Sequence, residues 1–365
     1  MSEFTPALLG SRYRKGAEPQ VLSPERKAVR DRILTEDDPG VWEEVDCLCG
    51  TRGGRVISEV DRHGLGYRKV LCPTCGLLRA TPRWTAARYG AFYEEDYRDL
   101  YSPVAADARG PEAMVRMAEG PGARQVSAFV RTAWKQHGDP GTGAPTIVEI
   151  GSGGGWNLAR LPQEWRRIGY DTDARFLRFG HEAFGIEMRH GFLDDALPAL
   201  GEADCVVLSH VVEHLSDPVG ALVALSGAIR PDALILIEVP GIFRLHKTGM
   251  DPMRYWQNAH TYTFCARTIA STCRRAGLEP VGVDEWIHLT LRPSSRFEGE
   301  VGDDPRLARS MERYLRYCEA AWTTSRSVAS LPAVGGPAAR VAERGGDAAM
   351  RAMMAAGLIR GTRVD

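Results

Sequence analysis

Three short stretches concentrate the residue types that do chemistry. "DCLCG" and "LCPTCGL" set out Cys47-x-Cys49 and, further on, Cys72-x-x-Cys75, each half followed by glycine. Four thiolates suit a tetrahedral Zn²⁺, and a closed set of this kind is structural rather than catalytic. The first pair departs from the C-x-x-C spacing, which leaves Asp46 and His63 open as substitute ligands. The second stretch, "VEIGSGGGW", carries Glu149, Gly151, Ser152, Gly153 and Gly155 between a strand-like and a helix-like segment. Glycines there permit positive φ and let a ligand approach the backbone. Asp171 closes the next strand-like run, where an acid accepts the two hydroxyls of a ribose. A dinucleotide turn would carry a last glycine where Trp156 stands, so the pattern points to a nucleoside cofactor of another kind. The third set is acid–base. "SHVVEHL" puts His210, Glu213 and His214 on one face of a turn, and "NAHTYTF" supplies His260 and Tyr262.

The elements that must position these groups follow from patterning. Strands are expected at 146–150, 166–171, 186–191, 204–210 and 233–239, with helices near 122–137, 155–163, 174–184, 217–229 and 266–276. Two last strands, "EPVGVDEW" and "IHLTLRP", close the series. Short apolar strands alternating with helices predict an α/β fold, a doubly wound Rossmann-like sheet buried on both faces. The chain of 365 residues divides into an N-terminal extension (1–43), a cysteine module of zinc-ribbon type (44–82) and a helical connector or lid (83–143). The α/β core (144–293) and a C-terminal helical appendage (294–365) follow. The remaining cysteines, Cys205, Cys265, Cys273 and Cys318, read as buried small hydrophobes. A formal net charge of -1 gives no footprint for a polyanionic partner, so nucleic acid is disfavoured. With no basic-then-apolar leader and no long apolar run, a cytoplasmic protein without a membrane partner is expected. The stripe Met350, Met353, Met354 and Leu358 reads as packing or a homodimer contact.

In order and spacing, "VEIGSGGG", "GYDTD", "HGFLDD", "VVLSHVVEHLSDP", "AIRPDALILIEVPG" and "HTYTFCARTIASTCRRAGLEPV" resemble the class I S-adenosylmethionine-dependent methyltransferases. The resemblance covers about residues 145–293. It implies a seven-stranded sheet with its last hairpin reversed and the cofactor across the carboxyl ends of the first strands. Glu149, Gly151, Gly153 and Gly155, with Ser152 in the same turn, would line the methionine side. Asp171 would hold the ribose with Thr172 beside it, Phe192 and Leu193 would flank the adenine, and Ser209 and His210 would lie near the sulfonium.

The cysteine module ending "CGLLRATPR", then "YEEDYRDLYS", then the core resembles a subset of this family that includes sugar C-methyltransferases. That subset acts on nucleotide-linked deoxysugars and other bacterial secondary metabolites. The resemblance implies a small-molecule acceptor, such as a sugar or secondary-metabolite intermediate. In that subset a Glu-His pair supplies the base; here His260 matches but Ala259 precedes it, so C-, O- and N-methylation stay open. Glu213, His214 and His260, with His210, also resemble the set that binds Mg²⁺ or another divalent ion in some O-methyltransferases. His260, His214, Glu213 and Tyr262 are the catalytic candidates. The alternatives are an RNA-modifying methyltransferase and a non-catalytic partner protein that binds the cofactor.

Overall fold

The computed structural model describes residues 3–101, 111–139, 141, 143–248, 251–284, 286–294 and 304–329. These fall into two compact units, the first drawn from Met1–Tyr89, Pro240–Thr268 and Gly302–Asp365, the second from Gly90–Val239 and Ile269–Val301.

In the first unit, β1 (Phe4–Pro6) lies parallel to β3 (Gly54–Val60). Between them come α1 (Pro24–Glu36), started by Ser23 and Pro24, and β2 (Trp42–Glu43). β3 turns back into β4 (Gly66–Leu71), which pairs with β5 (Leu78–Ala80); β6 (Arg83–Trp84) pairs with β2. The β3–β4 turn is built by Asp61, whose Oδ1 accepts the backbone N–H of His63 at 2.8 Å and of Leu65 at 2.9 Å. Ile57, Leu71, Leu78, Trp256, Met311 and Leu315 share this unit's core.

The connector forms α2 (Ala86–Glu95) and α3 (Tyr97–Tyr101), followed by α4 (Pro111–Glu119) and α5 (Pro121–His137). The second unit's sheet then begins with β7 (Thr146–Ile150), β8 (Arg166–Asp171), β9 (Glu187–His190), β10 (Cys205–Ser209) and β11 (Leu234–Glu238). α6 (Ala174–Phe184), α7 (Leu193–Ala196) and α8 (Pro218–Ala228) alternate with these strands. The chain next contributes β12 (Tyr262–Thr263) to the first unit, antiparallel to β5. It resumes with α9 (Ala266–Arg275), β13 (Leu278–Val283) and β14 (His288–Pro293), and α10 (Pro305–Ala329) follows.

The seven strands of the second unit are ordered β13-β14-β11-β10-β7-β8-β9. β7 to β11 are mutually parallel, and β14 runs antiparallel to β11, so the expected α/β sheet and its reversed closing strand are both present. The runs "TIVEI", "CVVLS" and "LILIE" are mostly apolar and buried because both faces of these strands are covered; their polar residues lie at or near the strand ends. Val126, Val130 and Ala133 of α5 pack there against Ile147, Cys205, Val207 and Leu234. The order reverses between β7 and its neighbours β8 and β10. Ligands of doubly wound sheets bind at such a point, beyond the carboxyl ends of the strands.

One expected helix is absent. Residues 155–163 form turns and a single 3-10 turn, Leu158–Arg160, because Pro162 holds Leu161 in extended backbone (φ -79, ψ 157). The expected helix over 174–184 is α6, started by Asp173, which accepts the N–H of Arg175 at 2.9 Å, and stopped by left-handed Gly185. Cys205, Cys265, Cys273 and Cys318 are buried, as small hydrophobes are. The stripe Met350, Met353, Met354 and Leu358 lies outside the described residues. Among those described, no helix is long and apolar enough to cross a membrane.

Candidate functional site

The glycine turn follows β7 directly. Gly151, Gly153 and Gly155 have φ of 73, 56 and 73, conformations that strain any residue with a Cβ. Packing adds a second reason for glycine. A Cβ on Gly151 would lie 2.7 Å from Val211, one on Gly153 would enter the ring of Trp156, and one on Gly154 would meet the sulfur of Met114. Gly180 of α6 faces the carbonyl of Gly154 so closely that no side chain fits there either. The turn is thus braced from outside as well as shaped from within.

Its acids are held in different ways. Asp171 accepts the Gly153 N–H on Oδ2 at 2.8 Å and the Asp173 N–H on Oδ1 at 2.9 Å, which ties the end of β8 to the turn after β7. Ser152 donates from both N and Oγ to the Tyr170 carbonyl, at 2.9 and 3.3 Å. Glu149 is 1% exposed, and one of its oxygens accepts from Asn157 Nδ2 at 2.6 Å. Burial pushes its carboxyl up to about 8; Asn157 opposes this, and the charges of Glu238 and Asp171 add to it. Beyond the turn is a cavity of about 530 Å³ lined by Tyr93, Glu95, Asp99, Thr172, His190 and Phe192. Phe192 is 52% exposed toward this mouth, whereas Leu193 is buried in the core.

At the end of β10, Ser209 Oγ donates to Glu238 Oε2 at 2.6 Å. His210 adopts φ 55, a left-handed conformation that is costly for a residue with a side chain. Its N–H donates to the Glu238 carbonyl at 2.8 Å, and its Nδ1 meets Glu213 Oε1 at 3.2 Å. Desolvation works against a charge on His210, but the hydrogen bond and charge of Glu213, with Glu238, prevail and raise it to about 9. His214 places Nδ1 2.9 Å from Tyr93 Oη and Nε2 3.8 Å from Glu213. The fold therefore gathers His210, Glu213 and His214 with Glu238 and Tyr93, and sets Asn157 against Glu149; sequence reasoning had not selected Glu238, Tyr93 or Asn157. Glu238 had a signal: like Glu149, it is an acid at the carboxyl end of a largely apolar central strand.

His260 and Tyr262 belong to the first unit, just before and within β12. His260 is 7% exposed, and its carbonyl accepts from Lys69 Nζ at 3.1 Å and Tyr67 Oη at 3.3 Å. Tyr262 Oη accepts from Arg83 Nη1 at 3.4 Å, and burial raises its phenol above the ordinary range.

The four N-terminal cysteines converge. Cys47 Sγ lies 3.5 Å from Cys75 Sγ, Cys49 Sγ lies 3.6 Å from Cys72 Sγ, and all four sulfurs are within 4.8 Å of one another. Tetrahedral ligands at the usual zinc–sulfur length stand about 3.8 Å apart, and a disulfide about 2.05 Å. The set therefore fits a metal and not a bridge. Left-handed Gly50 and Gly76 close the two knuckles, their N–H groups bonding the carbonyls of Cys47 and Cys72 at 2.7 and 3.1 Å. Sulfur hydrogen bonds, with Cys47 foremost, pull Cys72 down to about 6. Asp46 faces Arg52 at 3.5 Å, and buried His63 accepts from Arg62 at 3.1 Å, so neither joins the cluster.

A doubly wound sheet of this order, with a glycine turn and an acid at the first two strand ends, defines a domain built to bind a nucleoside cofactor. The chain belongs to the methyltransferase family: the model of that family, described as a methyltransferase domain, matches residues 91–283. No curated protein matches the sequence. Similar solved structures include mitomycin 7-O-methyltransferase (17% identity, 56% of this chain and 60% of that one, TM-score 0.38). Another is the O-methyltransferase of neocarzinostatin biosynthesis with S-adenosylhomocysteine and 1,4-dihydroxy-2-naphthoic acid (18%, 57% and 62%, 0.40). A third is the Burkholderia thailandensis 1,6-didemethyltoxoflavin N1-methyltransferase (16%, 60% and 96%, 0.42). This chain spans about three-fifths of the first two.

Proposed function

We propose that the protein transfers a methyl group from S-adenosylmethionine to a small-molecule acceptor, a sugar or secondary-metabolite intermediate, by in-line displacement with a histidine base. The observation that carries this reading is the Asp171 carboxylate, fixed by the Gly153 N–H beside the point where the strand order reverses. Buried Glu149, with an oxygen that makes no hydrogen bond among the described residues, fits a polar ligand at the same turn. Glu149, Ser152 and the turn glycines would hold the methionine end, Asp171 and Thr172 the ribose, and Phe192 the adenine edge. Bound there, the cofactor supplies an electrophilic methyl group. The chain's part is to align the acceptor, which can account for as much as about 7–11 kcal/mol of a barrier. A base then removes the acceptor's proton, typically worth about 10²–10⁴-fold. His214, set by Tyr93 and Glu213, and His260 are the candidates for that step, with Tyr262 beside the latter in sequence. Glu213 and His214 also offer a carboxylate and an imidazole to a divalent ion. Cys47, Cys49, Cys72 and Cys75 would hold a structural Zn²⁺.

The test is formation of S-adenosylhomocysteine and of a product heavier by one methyl group, across a panel of sugar nucleotides, phenols and amines. Turnover with a member of the panel is the expected result. Salt-sensitive retention on RNA with methylation of RNA alone would overturn the acceptor class. Cofactor binding without turnover on any acceptor would favour a non-catalytic role.

A further inference from the structure

Glu149 sits in a setting that its place at the turn does not require. Its side chain is buried, one oxygen accepts only from the neutral amide of Asn157, and the other makes no hydrogen bond among the described residues. The charged groups that face it are Glu238 from the end of β11 and Asp171 from the end of β8, and both are acidic. A buried carboxylate with one neutral donor and two acidic neighbours is costly in its ionised form. A cation is the ligand that would relieve it.

We propose that Glu149 carries a proton in the cofactor-free protein and releases it to solvent when the ammonium group of the cofactor binds beside it. The inference rests on the reading of the turn as the methionine side of an S-adenosylmethionine site. The balance is simple. The carboxylic acid and the ligand's ammonium give a carboxylate–ammonium pair, and one proton passes to buffer. Cofactor affinity then rises with pH for as long as the ligand's amine stays protonated. The buried carboxyl, pushed up to about 8, is roughly nine-tenths protonated at pH 7, so close to one proton should leave per cofactor bound. Alpha-amino groups titrate near 8, so affinity should peak near that pH and fall above it.

Titration calorimetry of S-adenosylmethionine into the full chain at pH 7, in three buffers of different ionisation enthalpy, counts those protons. Release approaching one is expected for the wild type, and none for Glu149→Gln or for a cofactor analogue lacking the α-amino group. Infrared difference spectra give a second readout that needs no variant: a carboxylic-acid carbonyl band present in the free protein and lost on binding. Clear binding with no proton release, or equal release by Glu149→Gln, overturns the inference and leaves the cofactor assignment standing. Absence of any binding overturns the cofactor assignment itself, and the inference with it.

Discussion

Replacing Asp171 tests whether one carboxylate both builds the turn and serves the ligand. Its two oxygens accept the N–H groups of Gly153 and Asp173 at 2.8 and 2.9 Å. Hydrogen bonds to a charged group contribute about 1.5–3 kcal/mol each, and some of this returns where water can reach the freed N–H groups. Asp171→Ala should therefore lose about 2–4 kcal/mol of unfolding free energy. Asp171→Asn, which keeps one acceptor oxygen, should lose about half as much. Urea denaturation followed by tryptophan fluorescence reads both, with Trp156 packed on the turn as a reporter. Cofactor affinity should fall further than stability in the asparagine variant, because the amide keeps a turn contact while losing charge toward the ribose. Wild-type stability in the alanine variant would refute the reasoning, since the carboxylate would then not be holding the turn.

Zinc should be present at one equivalent per chain by elemental analysis, and Cys75→Ser or a strong chelator should remove it and unfold the first unit. Sub-stoichiometric metal in a well-folded preparation would count against that site. Glu319 takes Arg12 on both oxygens, at 2.5 and 3.0 Å, and Tyr13 at 2.5 Å. Glu319→Gln should cost about 2–3 kcal/mol in denaturant melts, less than for a fully orphaned charge because Asp251 still faces Arg12. His210, raised to about 9 in the folded state against an ordinary 6.5, contributes stability that is complete below pH 6.5 and lost as pH rises through 9. The wild type and His210→Ala should accordingly converge in stability at high pH, and a constant gap between them would contradict this.

The central strands could be read from sequence almost to the residue. Buried parallel strands are continuous apolar runs, and Asp173 and Gly185 mark the ends of α6 in plain chemical terms. The glycine turn, the place of Asp171 at the end of β8 and the convergence of the four cysteines were legible for a similar reason, since each is set by residue type at short spacing. What escaped depends on distant parts of the chain. Nothing local says that Phe4–Pro6 will pair with β3, or that Tyr262 and Thr263 will extend the same sheet beside β5. The bonds of Tyr93 to His214 and of Asn157 to Glu149 likewise join residues from separate segments. The close approach of Gly180 to the Gly154 carbonyl also joins separate segments and leaves no local signal. Over 155–163 the sequence suggests a helix, but Pro162 holds Leu161 extended and limits the segment to one 3-10 turn.

A cofactor site at the ends of β7 and β8 is the proposal on which the rest depends. Titration calorimetry of S-adenosylmethionine and S-adenosylhomocysteine into the wild type and Asp171→Ala tests it most directly. One saturable site per chain is expected for both ligands, with affinity at least about 100-fold weaker in the variant, as befits loss of charge-assisted bonds worth about 3 kcal/mol. A wild type that binds neither ligand would contradict it, as would equal binding by the two proteins.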